Sequence, residues 1–244
     1  DRAAEGRDGE AARCGSATWE ERTALDGVAG SRYRLVVGSA RAVVVLLALG
    51  FLVGIGGFSA VTDPQVGLLT ALSAVPALGL AVYVSVSDVT EGEPATLMLV
   101  TFLLGVLTAN FAAVVNSYAG PLFTGLGYLG TVAMFFLVVG PVEETVKLLA
   151  VRLYAYSRSE FDAVVDGAVY GALAGLGFAF IENALYITQN LPESGMEAGL
   201  GLIGMGGGIV GIRALAGPGH VIYSAFAGYY LGLAKFNPGK RGPI

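Results

Sequence analysis

Apolar runs dominate the chain, at about 35–61, 66–87, 95–115, 126–154, 162–189, 198–215 and 219–236. Most approach the ~20 residues that a helix needs to cross the hydrocarbon of a bilayer. Polar turn sequences separate several of them, as at Thr62-Asp63-Pro64 and Glu91-Gly92-Glu93-Pro94, which suits loops at a membrane surface. The runs are too long and too apolar for the alternating strands of an outer-membrane barrel. In lipid each segment must satisfy its own backbone, which leaves helices. The pattern therefore predicts an all-α fold, a polytopic transmembrane helical bundle of about seven hydrophobic segments. One segment is expected to be broken or re-entrant. It is the run at 198–215, which is short, glycine-rich and interrupted by Arg213; an irregular backbone is tolerated where it lines a protein cavity.

Residues 1–34 are charged and show almost no apolar periodicity. They read as a soluble, partly disordered tail. Within it TWEERTALDGVA could form one short helix, capped by Thr18 with Glu21 three residues on. Residues 35–236 form the transmembrane domain and 237–244 a C-terminal tail. No secretory signal peptide is expected, because a charged stretch precedes every apolar run.

Composition sharpens this picture. Of 244 residues, 55% are hydrophobic and only 14% charged, against about 25% in a soluble domain; the mean hydropathy is +0.69. A net charge of −5 argues against nucleic acid as a partner. The single Cys14 can make neither an internal disulfide nor a thiolate zinc site. The loops at 62–65, 116–125 and 190–197 hold no lysine or arginine, whereas the N-terminal tail and the 152–158 turn do. The positive-inside rule then places the N-terminus in the cytoplasm of a multi-pass cell-membrane protein. Lys235, Lys240 and Arg241 favour the same side for the C-terminus, which fits six crossings plus one irregular segment and a site opening toward the outer face.

The candidate chemistry lies inside apolar runs. Glu143 and Glu144 sit in FFLVVGPVEETVKLLAV, Glu182 in GLGFAFIENALYI, and His220, the only histidine, in GPGHVIYSAF. Ionisable groups at bilayer depth are expensive and face a protein interior or a wet cavity. Neighbouring helical residues point about 100° apart, so one acid of the pair can face a reacting centre while the other orients its surroundings. Lys147, four residues after Glu143, is placed for an ion pair. Asn183 adjoins Glu182; Ser224 follows His220 by one turn. Two mechanisms fit. A glutamate can act as general base on water while histidine, asparagine or serine stabilises the oxyanion. Alternatively Glu144, Glu182 and His220 hold a zinc ion and a remaining glutamate takes the proton. No HExxH motif is present. A transporter with midplane carboxylates and a scaffold binding helices through the Gly167, Gly171 and Gly175 face are the rival readings.

Three ordered blocks, PVEETVKLLAV, DGAVYGALAGLGFAFIENALY and GHVIYSAFAGYYLG, resemble the PrsW family of intramembrane proteases over about residues 135–236. That family is similar to the CAAX prenyl-protease and bacteriocin-processing proteins, whose pattern is EExxxR, FxxxH and HxxxN. The resemblance implies peptide-bond hydrolysis in the membrane, on a membrane-anchored substrate of the anti-sigma-factor kind. It implies catalytic Glu143, Glu144 and His220, with Glu182 and Asn183 completing the site and Lys147 supporting it; Arg213 and Ser224 are further support candidates. Here FxxxH is FxxxE, Phe178 to Glu182, and HxxxN is HxxxS, His220 to Ser224. A glutamate cannot donate to an oxyanion when ionised, but it offers a metal another hard oxygen ligand.

Overall fold

A computed structural model describes residues 24–54, 62–89, 92–190 and 208–237. Helix α1 spans Ala24–Gly54, so helical structure begins within the stretch read as tail. Residues 1–23, with Thr18, Glu21 and Cys14, lie outside the described residues. The packed body falls within Leu47–Ile244.

In that body α2 spans Pro64–Val86. Its start follows from Asp63, whose Oδ1 accepts from the backbone N–H of Gln65 at 2.8 Å, while Pro64 occupies a position where no N–H is missed. Helix α3 spans Ala95–Phe123. After a short 3₁₀ turn, Gly127 takes φ 56°, a conformation glycine adopts without strain. The chain continues through α4, Gly127–Met134, and α5, Gly140–Leu153, which packs alongside α3. Helix α6 spans Val164–Asn190 and α7 spans Ile209–Phe236. The described residues contain no strand. Among them, Pro64–Val86, Ala95–Ser157 and Val164–Asn190 are long and apolar enough to cross a membrane.

One feature of the sequence gains detail and one expectation changes. Within the run at 126–154 the chain is disturbed just before Gly140-Pro141, where a π-helical turn at Phe135–Val139 separates α4 from α5. Pro141 has no N–H to give the carbonyl of Leu137, and the ladder slips so that Gly140 N–H reaches the Phe135 carbonyl. Conversely, the break expected between 215 and 219 is absent. Helix α7 runs unbroken through Gly217-Pro218-Gly219, so His220, the second residue of the run at 219–236, lies in mid-helix rather than at a helix start. Residues 191–207, most of the run expected to be irregular, lie outside the described residues. In a helix bundle, neighbours hold a proline-containing helix straight where an isolated one would break.

Helices α6 and α7 are antiparallel and in very close contact. A Cβ at Gly167, Gly171 or Gly175 would collide with the carbonyl oxygen of Gly228, Ser224 or His220, respectively. The three glycines thus form the expected close-packing face. Because α7 already fills it, this face is not free for a partner helix. The same register sets His220 and Arg213 beside the second half of α6. A core of Val66, Leu69, Ala109, Phe178, Ile181 and Val210 joins α2, α3, α6 and α7 around that end.

Candidate active site

Helix α5 presents its paired acids in two directions. Glu143 turns inward, its side chain 11% exposed, and Glu144 remains 29% exposed. Lys147, one turn on and buried to 1%, reaches both, at 2.7 Å from Glu144 Oε1 and 3.6 Å from Glu143 Oε2. Its ammonium also lies 2.9 Å from His220 Nδ1 and 4.2 Å above the Phe178 ring. An ammonium has only protons to give, so Nδ1 accepts and the imidazole hydrogen sits on Nε2. That atom is 2.9 Å from Glu182 Oε2. The histidine therefore bridges the acids of α5 to the acid of α6, with its tautomer set by Lys147.

Helix α7 supplies a second cation. Arg213 Nη2 bonds Glu182 Oε2, its Nε donates to Asn183 Oδ1 at 2.8 Å, and its guanidinium lies 4.4 Å from the Tyr186 ring. Asn183, fully buried, passes the connection on: its Nδ2 donates to Ser73 Oγ on α2 at 2.9 Å. Ser224 Oγ donates to Glu144 Oε2 at 3.1 Å. All eight residues singled out from sequence thus meet in one network drawn from α5, α6 and α7.

Within the network their positions differ from expectation in two ways. Both ends of the Asn183 amide are taken up by Ser73 and Arg213, so this side chain ties helices together. The residues whose ligand atoms gather within 4.8 Å of one another are Glu143, Glu182 and His220; the sequence reading had Glu144 in place of Glu143. Helical phase decides the exchange: Glu143 points toward Glu182 and His220, whereas Glu144 points toward Ser224.

Two contributing residues escaped the sequence reading. Ser73 is an unremarkable serine in an apolar run. Asn116 follows the end of the apolar run at 95–115 and reads as the first residue of a loop, but α3 continues to Phe123. Its Nδ2 lies 3.4 Å from Glu143 Oε1. Asn116, Glu143 and Glu182 line a cavity of about 40 Å³ whose remaining walls are apolar, among them Phe178, Ile181 and Leu185. A single polar residue beyond an apolar run was the only available signal.

An apolar helical bundle that brings three carboxylates and an imidazole into one network, with two of the acids, Glu143 and Glu182, lining a small hollow, is a construction suited to hydrolysis inside a membrane. Comparison with known proteins gives the particular group. The model of the PrsW family intramembrane metalloproteases matches residues 93–244. Protease PrsW of Geobacillus kaustophilus is 32% identical over 174 residues, 71% of this chain and 69% of that protein. Protease PrsW of Bacillus subtilis is 32% identical over 166 residues, 68% of each chain, and that of Clostridioides difficile 27% identical over 149 residues, 61% of this chain and 58% of that protein. No solved structure matches the chain. The chain belongs to the PrsW family of intramembrane metalloproteases. It is a membrane peptidase acting on membrane-protein substrates, and its acidic and histidine side chains include a group able to hold a metal ion.

Proposed function

We propose that the chain cleaves a peptide bond of a membrane-anchored protein with water activated between Glu143 and Glu182. The observation that carries this reading is the shared cavity, of about 40 Å³, that these two acids line. Glu143 has one oxygen toward each side: Oε2 is 3.7 Å from His220 Nδ1, and Oε1 is on the Asn116 side. Oε1 takes a proton from water as the water oxygen bonds to the carbonyl carbon of the substrate and the carbonyl electron pair moves to its oxygen. The same proton then passes to the amide nitrogen as the C–N bond breaks, leaving a carboxylic acid and an amine. Lys147 and the Ser224 hydroxyl are the donors nearest the α5–α7 face and stabilise the oxyanion. Glu144 orients both of them. Arg213 holds Glu182 in place.

The donor chemistry fits a metal. Glu143 through Oε2, Glu182 and His220 would combine two hard oxygens with an imidazole nitrogen once Nε2 gives up its hydrogen, a set that suits zinc. When bound, the ion supplies Lewis acidity and makes water a stronger acid. Lys147 and Arg213 already balance two of the three nearby carboxylate charges.

The substrate class implied by the resemblance is a single-pass protein of the anti-sigma-factor kind. The distribution of arginine and lysine supports a cytoplasmic N-terminus. With α6 running outward, the antiparallel register of α7 is consistent with a site toward the outer half of the membrane. The test uses purified protein in liposomes and a peptide spanning one membrane segment. Cleavage should fall at least ~10²-fold in Glu143→Gln, Glu182→Gln and His220→Gln with helicity retained. A chelator should abolish it and zinc restore it at one ion per chain. Full activity in all three variants would reject the assignment, and full activity in metal-free protein would reject zinc.

A further inference from the structure

Asn116 is a polar residue that the reaction scheme leaves without a task. Its Oδ1 is fully enclosed and has no hydrogen-bond partner, a condition that is costly when nothing compensates. The orientation of the amide is set by charge: a carboxylate oxygen attracts Nδ2 and repels Oδ1, so Nδ2 faces Glu143 Oε1. The carbonyl end is the one left over. Asn116 also lines the cavity, whose volume of about 40 Å³ exceeds the ~10–15 Å³ that one water molecule needs. Such a water needs two to four polar partners, and the lining offers three polar side chains, Asn116, Glu143 and Glu182. The other walls are apolar, and Glu182 Oε2 is already engaged by Arg213 and His220. Asparagine χ2 is a broad torsion, and rotation about it can turn Oδ1 toward the cavity.

We infer that Asn116 is a further catalytic residue, whose Oδ1 accepts one hydrogen of the reacting water while Glu143 Oε1 faces the other. This rests on the reading of Glu143 as proton acceptor. On attack, the hydrogen on the Glu143 side leaves as a proton. The hydrogen on Asn116 stays with the oxygen that has bonded to carbon, and the amide itself changes neither charge nor protonation. With two acceptors fixing both hydrogens, a lone pair of the water points away from them, where a substrate carbonyl can approach. Orientation of this kind is a direct contribution to rate.

The full chain in liposomes, cleaving a quenched-fluorescence peptide that spans one membrane segment, provides the kinetic test. Asn116→Ala should lower kcat by about 10- to 100-fold, the span of one lost hydrogen bond in a dry site, with KM within about twofold. Asn116→Ser, which restores an acceptor oxygen, should recover several-fold over Asn116→Ala. Equal rates for alanine and serine, or a loss carried wholly by KM, would overturn the inference. Glu143→Gln separates the two levels of argument. If it cleaves at the wild-type rate, the underlying reading fails; if it is inactive while Asn116→Ala keeps full kcat, only the role of Asn116 fails. An experimental structure provides a readout free of substrate. One ordered water within hydrogen-bond distance of both Asn116 Oδ1 and Glu143 supports the assignment, and a dry cavity contradicts it.

Discussion

Replacing Arg213 by methionine keeps most of the side-chain volume and removes the guanidinium. Three contacts go with it: the ion pair to Glu182, the 2.8 Å hydrogen bond to Asn183 Oδ1 and the stacking on Tyr186. Removing one partner of a buried ion pair costs about 3–5 kcal/mol. Glu182 retains His220 as a partner and is 21% exposed, which puts this contribution near ~3 kcal/mol at the low end of that range. Leaving the Asn183 carbonyl with no donor adds about 1 kcal/mol. Arg213→Met should therefore destabilise the protein by about 4 kcal/mol. Arg213→Lys should lose about half as much, because an ammonium keeps the charge but cannot reach both acceptors as a planar fork does. The assay is reversible unfolding in bicelles by added SDS, followed by circular dichroism. A double-mutant cycle with Glu182→Gln isolates the pair, with an expected coupling of about 2 kcal/mol. Arg213→Met within ~1 kcal/mol of wild type, or a coupling below ~0.5 kcal/mol, would refute the claim that Arg213 fixes Glu182.

Two further outcomes follow from the packing and from the opposite end of α6. Gly171→Ala places a methyl group on the Ser224 carbonyl; α7 must yield, at about 1–3 kcal/mol, and His220 moves with it. Activity should then fall by about 10²-fold with normal helicity, whereas the same exchange at Gly79, in the interior of α2 where a Cβ meets nothing within 4 Å, should leave activity unchanged and should not lower stability. Glu93, in the connection before α3, is half-buried, and burial pushes its carboxyl up to about 7, with the charges of Asp166 and Asp88 adding to the effect. The folded chain therefore holds a proton that the unfolded chain gives up above its ordinary 4.5, so this contribution to stability is full below pH ~4.5 and is lost as pH rises through ~7. Solvent screening limits it to less than about 1 kcal/mol. Unfolding midpoints measured from pH 4 to 8 should show a downward slope through this window (about one unit either side) that Glu93→Gln flattens; an unchanged slope would exclude Glu93 as its source.

Much of this arrangement is legible in the residues themselves. Apolar runs of near-spanning length announce helices, and the four-residue spacing of Gly167, Gly171 and Gly175 announces a close neighbour. Acids and a histidine at bilayer depth announce a shared interior, since each alone would be too costly. What stayed hidden depends on phase and partners. Adjacent Glu143 and Glu144 look alike in sequence, and only the position of the π-helical turn and the α6–α7 seam decides which faces inward. Gly217-Pro218-Gly219 carries every local mark of a break, yet neighbouring helices keep α7 continuous and place His220 in its middle. Asn183 beside Glu182 suggests a substrate contact, while the distant Ser73 and Arg213 take both ends of its amide. Asn116 lies just beyond an apolar run, where a helix extension cannot be told from a loop.

The central claim is that Glu143 removes a proton from water at a site it shares with Glu182 and His220. The most direct measurement is single-turnover cleavage of a membrane-spanning peptide by the reconstituted Glu143→Gln protein, whose side chain keeps the shape and loses the base. The account predicts a rate at least ~10²-fold below wild type with peptide binding intact. Cleavage at the wild-type rate would contradict it.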